Sequence, residues 1–213
     1  MFPERLREGY RAFRDGRFAG ERSRYETLAR AGQRPEIVVI GCIDSRASPE
    51  AIFDAAPGEL LVVRNVANLV PPYASDRQSP LSTSAALEFA VQALRVRHIV
   101  VLGHAFCGGI EAFAGGGEPL SPGDFIGRWM SLVAPAAASL GPRGANDGDY
   151  LRRLELAAIA HSLANLMTFP WIRAQVERGA LELHGAYFGV ATGRLLVRDP
   201  ATGRFEPAGE GKD

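Results

Sequence analysis

The sequence is poor in cysteine, with 2 in 213 residues. Two cysteines do not make the disulfide framework on which many secreted domains depend, and no Cys-x-x-Cys motif is present, so a redox dithiol is a weak hypothesis. We interpret both cysteines as thiolate ligands in a reducing compartment. The cytoplasm is therefore the expected location.

Long apolar runs and an excess of one charge are also missing. No stretch approaches the roughly 18 apolar residues of a membrane span, and the first residues lack the apolar segment of a secretory signal. Lys plus Arg and Asp plus Glu both number 24, so the formal net charge is zero and no basic face for nucleic acid is indicated. We expect neither a membrane nor a nucleic acid as partner.

The composition suits one compact domain over residues 1–213, because 46% of the residues are hydrophobic, enough for a substantial core. Residues 1–30 are predicted to form a helical arm of one or two amphipathic helices. The arm either caps the core of its own chain or packs on a second subunit. Its aromatic residues are Tyr10, Phe13, Phe18 and Tyr25.

Beyond the arm, strand and helix patterns alternate. Runs of β-branched and aliphatic residues predict buried strands at 37–40, 60–63 and 99–102, with amphipathic helices between them. Two more strands are predicted over 181–197, around a turn at Thr192 and Gly193. This alternation implies an α/β fold with a mostly parallel sheet and crossover helices.

Two short motifs follow the first and third of these strands. Cys42, Asp44 and Arg46 form a Cys-x-Asp-x-Arg motif, and His104 and Cys107 form a His-x-x-Cys motif. Because ligands bind at the carboxyl ends of strands in open α/β sheets, the two thiolates and the imidazole are expected to meet. Three such donors leave one tetrahedral position of a zinc ion free, which is typical of a catalytic site.

Each cysteine alone would more often be a small buried hydrophobe than a ligand. The chance that Asp, Ser and Arg all occupy fixed places after a given cysteine is, however, on the order of one in 10⁴ at average usage. A structural zinc would normally show four Cys or His ligands, so three predict one catalytic zinc per chain. Gly108 and Gly109 are expected to allow a tight turn and expose helix amides that favour the Cys107 thiolate.

Asp44 and Arg46 are spaced to form a bidentate carboxylate–guanidinium pair if the chain stays extended. The pair could serve merely to hold the loop in place. Alternatively, Asp44 could accept a hydrogen bond from zinc-bound water, or it could bind zinc itself. Two thiolates cancel the charge of the dication, so bound water should titrate above the value near 7 of a three-histidine site. Turnover should then rise toward alkaline pH.

The two motifs together resemble the β-class carbonic anhydrases, and the resemblance extends from Tyr25 to about Val197. It implies four parallel strands plus an antiparallel edge strand, flanked by helices, and an active site at a dimer interface. The implied reaction is reversible hydration of CO₂ to bicarbonate and a proton, by attack of zinc-bound hydroxide. A homodimer, or a tetramer built from dimers, is implied, and this favours an arm that packs on a partner subunit.

The resemblance also implies roles for single residues. The zinc ligands would be Cys42, His104 and Cys107, with Asp44 and Arg46 as the dyad that keeps a zinc–water form at neutral pH. The family's bicarbonate pocket retains Arg64 here, but Val39 and Phe188 replace its Trp and Tyr, so inhibition through that pocket is not expected. The plant-like subgroup is favoured, and the substrate-binding candidates are Gln33, Gly108, Leu61, Val66 and Phe89.

Two other functions fit the same motifs. Hydrolysis of CS₂ or COS would use the same electrophilic carbon on the same fold, and a non-catalytic zinc protein could bind bicarbonate. Intact Asp44, Arg46 and Gln33 argue against the second. The remaining histidines, His98, His161 and His184, are interpreted as structural or exposed, with a proton shuttle at His184 as a minor alternative.

Overall fold

The computed structural model describes residues 1–74, 81–141, 143 and 147–209. Its strands are β1 (Ile37–Cys42), β2 (Leu60–Asn65), β3 (His98–His104), β4 (Glu182–Phe188), β5 (Leu195–Arg198) and β6 (Phe205–Pro207). Its α-helices are α1 (Glu4–Asp15), α2 (Arg17–Ala31), α3 (Pro49–Ile52), α4 (Leu81–Glu88), α5 (Gly108–Gly115), α6 (Phe125–Met130), α7 (Ala134–Ser139), α8 (Asp147–Leu166) and α9 (Pro170–Glu177). Short 3₁₀ or π turns cover Val66–Asn68, Phe89–Ala93 and Ser131–Val133.

The strands form one sheet in the order β2-β1-β3-β4-β5-β6. The first four are parallel and β5 runs antiparallel to β4, which confirms the predicted sheet. One element was not predicted: β6 pairs antiparallel with β5 and forms the outer edge. It is only three residues long, and Pro207 within it is tolerated because an edge strand can lack a ladder donor.

The central strands are buried because helices cover the sheet. Both β1 and β3 are almost continuous runs of β-branched and aliphatic residues, as expected for parallel strands covered on two faces. One face packs Val38, Ile40, Ile99 and Val101 into the main core with residues of α8 and α9. The opposite face carries a smaller cluster around Val39, Leu102 and Ala186, with α3 beside it. The second face is therefore the less deeply covered of the two.

The N-terminal arm is a helical hairpin, α1 followed by α2, as predicted. Phe13, Phe18 and Tyr25 stack between the two helices, with ring centroids 5.2–6.1 Å apart. None of the residues in α1 or α2 is buried within the chain. Helix α2 is fastened to the loop before β2, where Arg24 contacts Glu59 at 3.0 Å. Most of the arm's surface is thus left open.

None of the described helices combines the length with the hydropathy that a membrane-crossing segment requires.

Candidate metal centre

The carboxyl ends of two neighbouring parallel strands build the site. Cys42 is the last residue of β1 and His104 the last of β3, and these strands pair directly. Cys107 follows His104 by one short turn and precedes the first residue of α5. The strand ends and the turn therefore deliver the three predicted donors to one point.

The three donor atoms lie within 4.8 Å of one another. Cys42 Sγ and Cys107 Sγ are 4.0 Å apart, close to the roughly 3.8 Å that two sulfurs adopt on a tetrahedral zinc with bonds of about 2.3 Å. All three residues are at most 4% exposed. Nε2 of His104 is buried without a hydrogen-bond partner, an arrangement that a metal ion would satisfy. The donor set fits zinc.

The protonation of the two thiols is coupled because they share a hydrogen bond. That bond from Cys107 lowers the pKa of the Cys42 thiol well below its usual value, against the effect of burial. The same bond, with burial, raises the pKa of Cys107. One thiolate is thus favoured in the protein alone, and a cation is needed to stabilise the second.

The His104 ring is oriented by its own backbone. Nδ1 lies 2.9 Å from the carbonyl oxygen of Ala105, to which it donates, and this leaves the lone pair on Nε2. Burial lowers the pKa of His104, but the Cys42 thiolate, the Ala105 carbonyl and Asp44 together raise it above the ordinary value. Nε2 therefore faces an anionic site that favours a cation.

Asp44 and Arg46 form the predicted bidentate pair. Arg46 Nε lies 2.9 Å from Asp44 Oδ1, and Arg46 Nη2 lies 2.7 Å from Asp44 Oδ2. The pair forms although the chain between the two residues is not extended: the segment is a turn, in which Oδ1 also accepts the Arg46 backbone N–H at 2.9 Å. Asp side chains close such turns readily. Hydrogen bonding from Arg46 lowers the pKa of Asp44 far below its usual range, so this carboxylate stays ionised.

The carboxylate also lies beside the donors. Asp44 Oδ2 is 3.9 Å from Nε2 of His104. Arg46 Nη2 makes a second hydrogen bond, 2.9 Å long, to the carbonyl oxygen of Phe106 between the two ligands of the second motif. Arg46 therefore joins the loop of the first motif to the loop of the second.

The turn after His104 differs in detail from the prediction for Gly108 and Gly109. The residue in the left-handed region is Phe106, with φ of 58°, and neither glycine has positive φ. Gly109 is needed for space instead, because a Cβ there would lie 2.8 Å from Val66 Cγ1. Gly108 begins α5, and the Cys42 hydrogen bond and burial raise the pKa of Cys107 although the nearby backbone amides of Ile110 and Gly109 act to lower it.

Two supporting residues were not assigned these roles from the sequence. Arg64 donates from Nε to the Cys42 carbonyl at 2.8 Å and from Nη2 to the Asp44 carbonyl at 2.7 Å. The sequence matched it only to a bicarbonate pocket. Here its guanidinium spans the first motif and fixes the backbone on both sides of Ile43.

The second supporting residue is Glu155 on α8, which is 6% exposed. It accepts the Cys107 backbone N–H at 3.0 Å and the Tyr187 hydroxyl at 2.6 Å. Burial and this bond raise the pKa of Tyr187. The sequence could have pointed to Glu155, because it is a charged residue that lies with the apolar residues Leu154 and Ala158 on the buried face of α8.

The predicted substrate-binding residues do not lie together at the metal centre within a single chain. Gln33 precedes β1, whereas Cys42 ends it, so roughly 16 Å of strand separates the two ends. Leu61 pairs with Val38 near the start of β2 and packs on the main core. Val66 packs against the cluster that contains the two cysteines.

Phe89 lies in the π turn after α4 and is 54% exposed. His184 also lies away from the centre, because Phe188, four residues further along β4, is the residue that pairs with His104. About 13 Å of strand therefore separates His184 from the metal donors, which is too far for direct proton transfer.

Comparison with known proteins agrees with this geometry. The family model described as Carbonic anhydrase matches residues 37–195, which include both motifs. The chloroplastic beta carbonic anhydrase 5 of Arabidopsis thaliana is 38% identical over 185 residues, covering 86% of this chain and 60% of that protein. This likeness is consistent with the plant-like subgroup. The chain spans less than two thirds of that relative's length.

Solved structures show the same likeness. The β-carbonic anhydrase CcaA superposes with a TM-score of 0.82 at 31% identity, covering 96% of this chain and 91% of that chain. A tetrameric β-carbonic anhydrase from the filamentous ascomycete Sordaria macrospora has a TM-score of 0.71 at 29% identity, covering 99% and 95%. With the family model spanning most of the sequence, this chain belongs to the β-class carbonic anhydrases.

Proposed function

We propose that the chain catalyses the reversible hydration of CO₂ to bicarbonate and a proton, with one zinc ion held by Cys42, His104 and Cys107. The observation that carries this proposal is the convergence of three buried donors beside a carboxylate that Arg46 holds in place. Bound there, zinc would supply the Lewis acidity that activates water for attack on the carbon of CO₂.

Asp44 and Arg46 are the proposed catalytic dyad. Because Asp44 remains ionised, it accepts hydrogen bonds and does not donate them, so it can orient a water molecule at the open side of the donor set. Arg46 engages both carboxylate oxygens and so restrains Asp44 from joining the three donors. The carboxylate can then position water without closing the fourth vertex.

The decisive measurement is stopped-flow CO₂ hydration on protein of known zinc content, with Cys42→Ser as the paired control. We expect turnover that scales with zinc, rises from neutral toward alkaline pH, and falls to background in Cys42→Ser. Protein holding one zinc per chain without turnover at alkaline pH would favour a bicarbonate-binding protein. Turnover of COS or CS₂ but not CO₂ would favour the hydrolase.

We further propose that the active site is completed by a second copy of this chain. The arm leaves its surface open, and a cavity of about 560 Å³ on the less covered sheet face is lined by Ile37, Val39 and Val100 together with charged residues such as Arg34 and Glu36. Ile43 and Phe106, which flank the metal donors, are 58% and 67% exposed. The solved relative described as tetrameric supports self-assembly.

In this assembly, Gln33 of one copy would serve the metal centre of the other, with Gly108, Leu61, Val66 and Phe89 as the remaining substrate-contact candidates.

A complementation experiment tests whether Gln33 acts on the metal centre of the partner subunit. Mixing Cys42→Ser, which keeps Gln33, with Gln33→Ala, which keeps the metal donors, should restore activity in hybrid dimers. A mixture no more active than Gln33→Ala alone would place Gln33 outside the partner's site.

The arm can be tested by removing residues 1–15. We expect fewer chains per particle in analytical ultracentrifugation if α1 packs on the partner subunit, and an unchanged number of chains if it packs on its own chain.

The cytoplasm remains the proposed compartment, supported by the two free thiols. Fractionation of source cells would check it.

A further inference from the structure

A second cluster of metal-binding side chains lies at the amino end of the sheet. His98 is the first residue of β3, and Glu182 and His184 lie at the start of β4. One donor atom from each of the three lies within 4.8 Å of the other two. We propose that His98, Glu182 and His184 form a second binding site for a divalent first-row transition cation such as zinc.

Strand register brings these residues together. His98 is directly opposite Glu182 in the parallel pair of β3 and β4, and His184 is two residues further along β4. Residues two apart in a strand project from the same face, and so do residues opposite each other across a parallel pair. All three side chains therefore stand on one face, at one end of the sheet.

The spacing of the two imidazoles suits a shared ion. His98 Nδ1 and His184 Nε2 are 3.2 Å apart. Two nitrogens bound to one zinc at about 2.0–2.1 Å lie about 2.9–3.4 Å apart for bond angles between square and tetrahedral. The pair can also share a single hydrogen bond at this distance, so a cation would replace that proton.

Glu182 supplies the third donor and the negative charge. Its Oε2 lies 3.8 Å from His184 Nε2, and its side chain is 66% exposed, so the carboxylate can rotate onto an ion. Two neutral imidazoles and a carboxylate suit zinc, nickel or cobalt and leave positions for water. Strand β5 pairs with β4 only over Ala186–Phe188, so the described ladder leaves this end of β4 accessible.

This site is separate from the proposed catalytic centre. His104 lies six positions after His98 along β3, which corresponds to about 20 Å of strand between the cluster and this ligand. The cluster is partly exposed, whereas the Cys/His/Cys donors are buried. We therefore expect the second site to bind zinc more weakly and to exchange it with solvent.

Equilibrium dialysis against buffered zinc, followed by elemental analysis, tests the proposal on the full chain. Wild-type protein should bind two equivalents at zinc concentrations well above those that fill the first site. His98→Ala and His184→Ala should each lose the second equivalent, and Glu182→Gln should hold it more weakly. His161→Ala, which changes a histidine on α8, is the matched control and should keep two.

Two further measurements separate this site from the proposed active site. Cys42→Ser should retain the equivalent bound at His98 and His184 even though it loses the other. Cobalt(II) added to protein that already holds one equivalent of zinc should bind without thiolate-to-metal charge-transfer absorption, and His184→Ala should abolish this binding. CO₂ hydration in His184→Ala should stay at the wild-type level, which also reports that the variant is folded.

The proposal is overturned if wild-type protein binds a single equivalent at saturating zinc. It is equally overturned if a second equivalent persists unchanged in both His98→Ala and His184→Ala. Failure of CO₂ hydration with the second equivalent intact would contradict the catalytic proposal alone.

Discussion

The two ends of the parallel sheet both gather metal-binding side chains, but in different ways. At the carboxyl end, Cys42, His104 and Cys107 are buried, and His104 Nε2 has no partner of its own. At the amino end, His98 and His184 are half-buried and contact each other. The buried donors require a cation, whereas the half-buried pair of histidines only permits one.

The surroundings of the two clusters explain this contrast. At the carboxyl end, Arg64 holds the first motif, Glu155 holds the second, and Arg46 joins the two loops. The amino-end donors are positioned by strand register and by the contact between the two imidazoles. Ligands that are fixed before binding lose less conformational freedom when the metal binds, so residues that hold the ligand loops in place favour tight metal binding.

The largest change is expected when the carboxyl end loses Arg46. Arg46→Ala frees Asp44 to move onto the metal, so turnover should fall at least about 100-fold while the zinc content is kept. Stopped-flow CO₂ hydration and elemental analysis on the same sample measure both quantities. Arg173→Ala, which removes another exposed arginine from an ion pair with Glu177, is the control and should be neutral. Near-native rates in Arg46→Ala would refute the restraining role.

A smaller effect is expected from Arg64, whose two hydrogen bonds to the site go to backbone carbonyls. Arg64→Ala leaves the carbonyls of Cys42 and Asp44 without their guanidinium partner, so we expect zinc affinity or kcat to fall about 10–100-fold. Arg64→Lys should recover only part of this loss, because one ammonium lacks the fork that reaches both carbonyls. Competition with a zinc chelator, together with kcat and KM, measures the effect. Equal values for Arg64→Ala, Arg64→Lys and wild type would show that the hydrogen bonds of Arg64 to the two carbonyls are dispensable.

The smallest of these effects concerns Glu155 and is mainly one of stability. Glu155→Leu leaves the buried Cys107 N–H unpaired and should lower the free energy of unfolding by about 1–3 kcal/mol, measured by urea denaturation. Glu155→Gln should cost less, because its amide can accept from Cys107 and donate to the Tyr187 hydroxyl. A leucine variant as stable as the glutamine variant would contradict this account. The second zinc equivalent at the amino end should survive in both.

Much of the centre was predictable because its chemistry is local. Two aliphatic strands each end in a donor, and parallel strands place their carboxyl ends together, so convergence of Cys42 and His104 followed from the order of elements. The Asp44–Arg46 pair also followed from spacing, although the backbone between them is a turn. Glycine at 109 was predicted for a turn, but serves to let Val66 approach α5.

Residues distant in sequence were harder to assign. Glu155 lies 48 positions from Cys107 and reaches it only because α8 packs beside α5. Gln33 matched a substrate contact by position, yet it lies at the opposite end of β1 from the metal donors of its own chain. His98 and His184, taken singly, had no signal above that of structural histidines. Their proximity depends on the register of β3 against β4.

The sequence alone determined the donor types, their order along the chain and the strands that carry them, because these depend on residue identity and short-range pattern. The tertiary structure decided which buried groups hold each loop, which candidates cannot meet within one chain, and that two ordinary histidines stand together. These depend on packing and strand register, where a shift of one residue would turn each side chain to the other face.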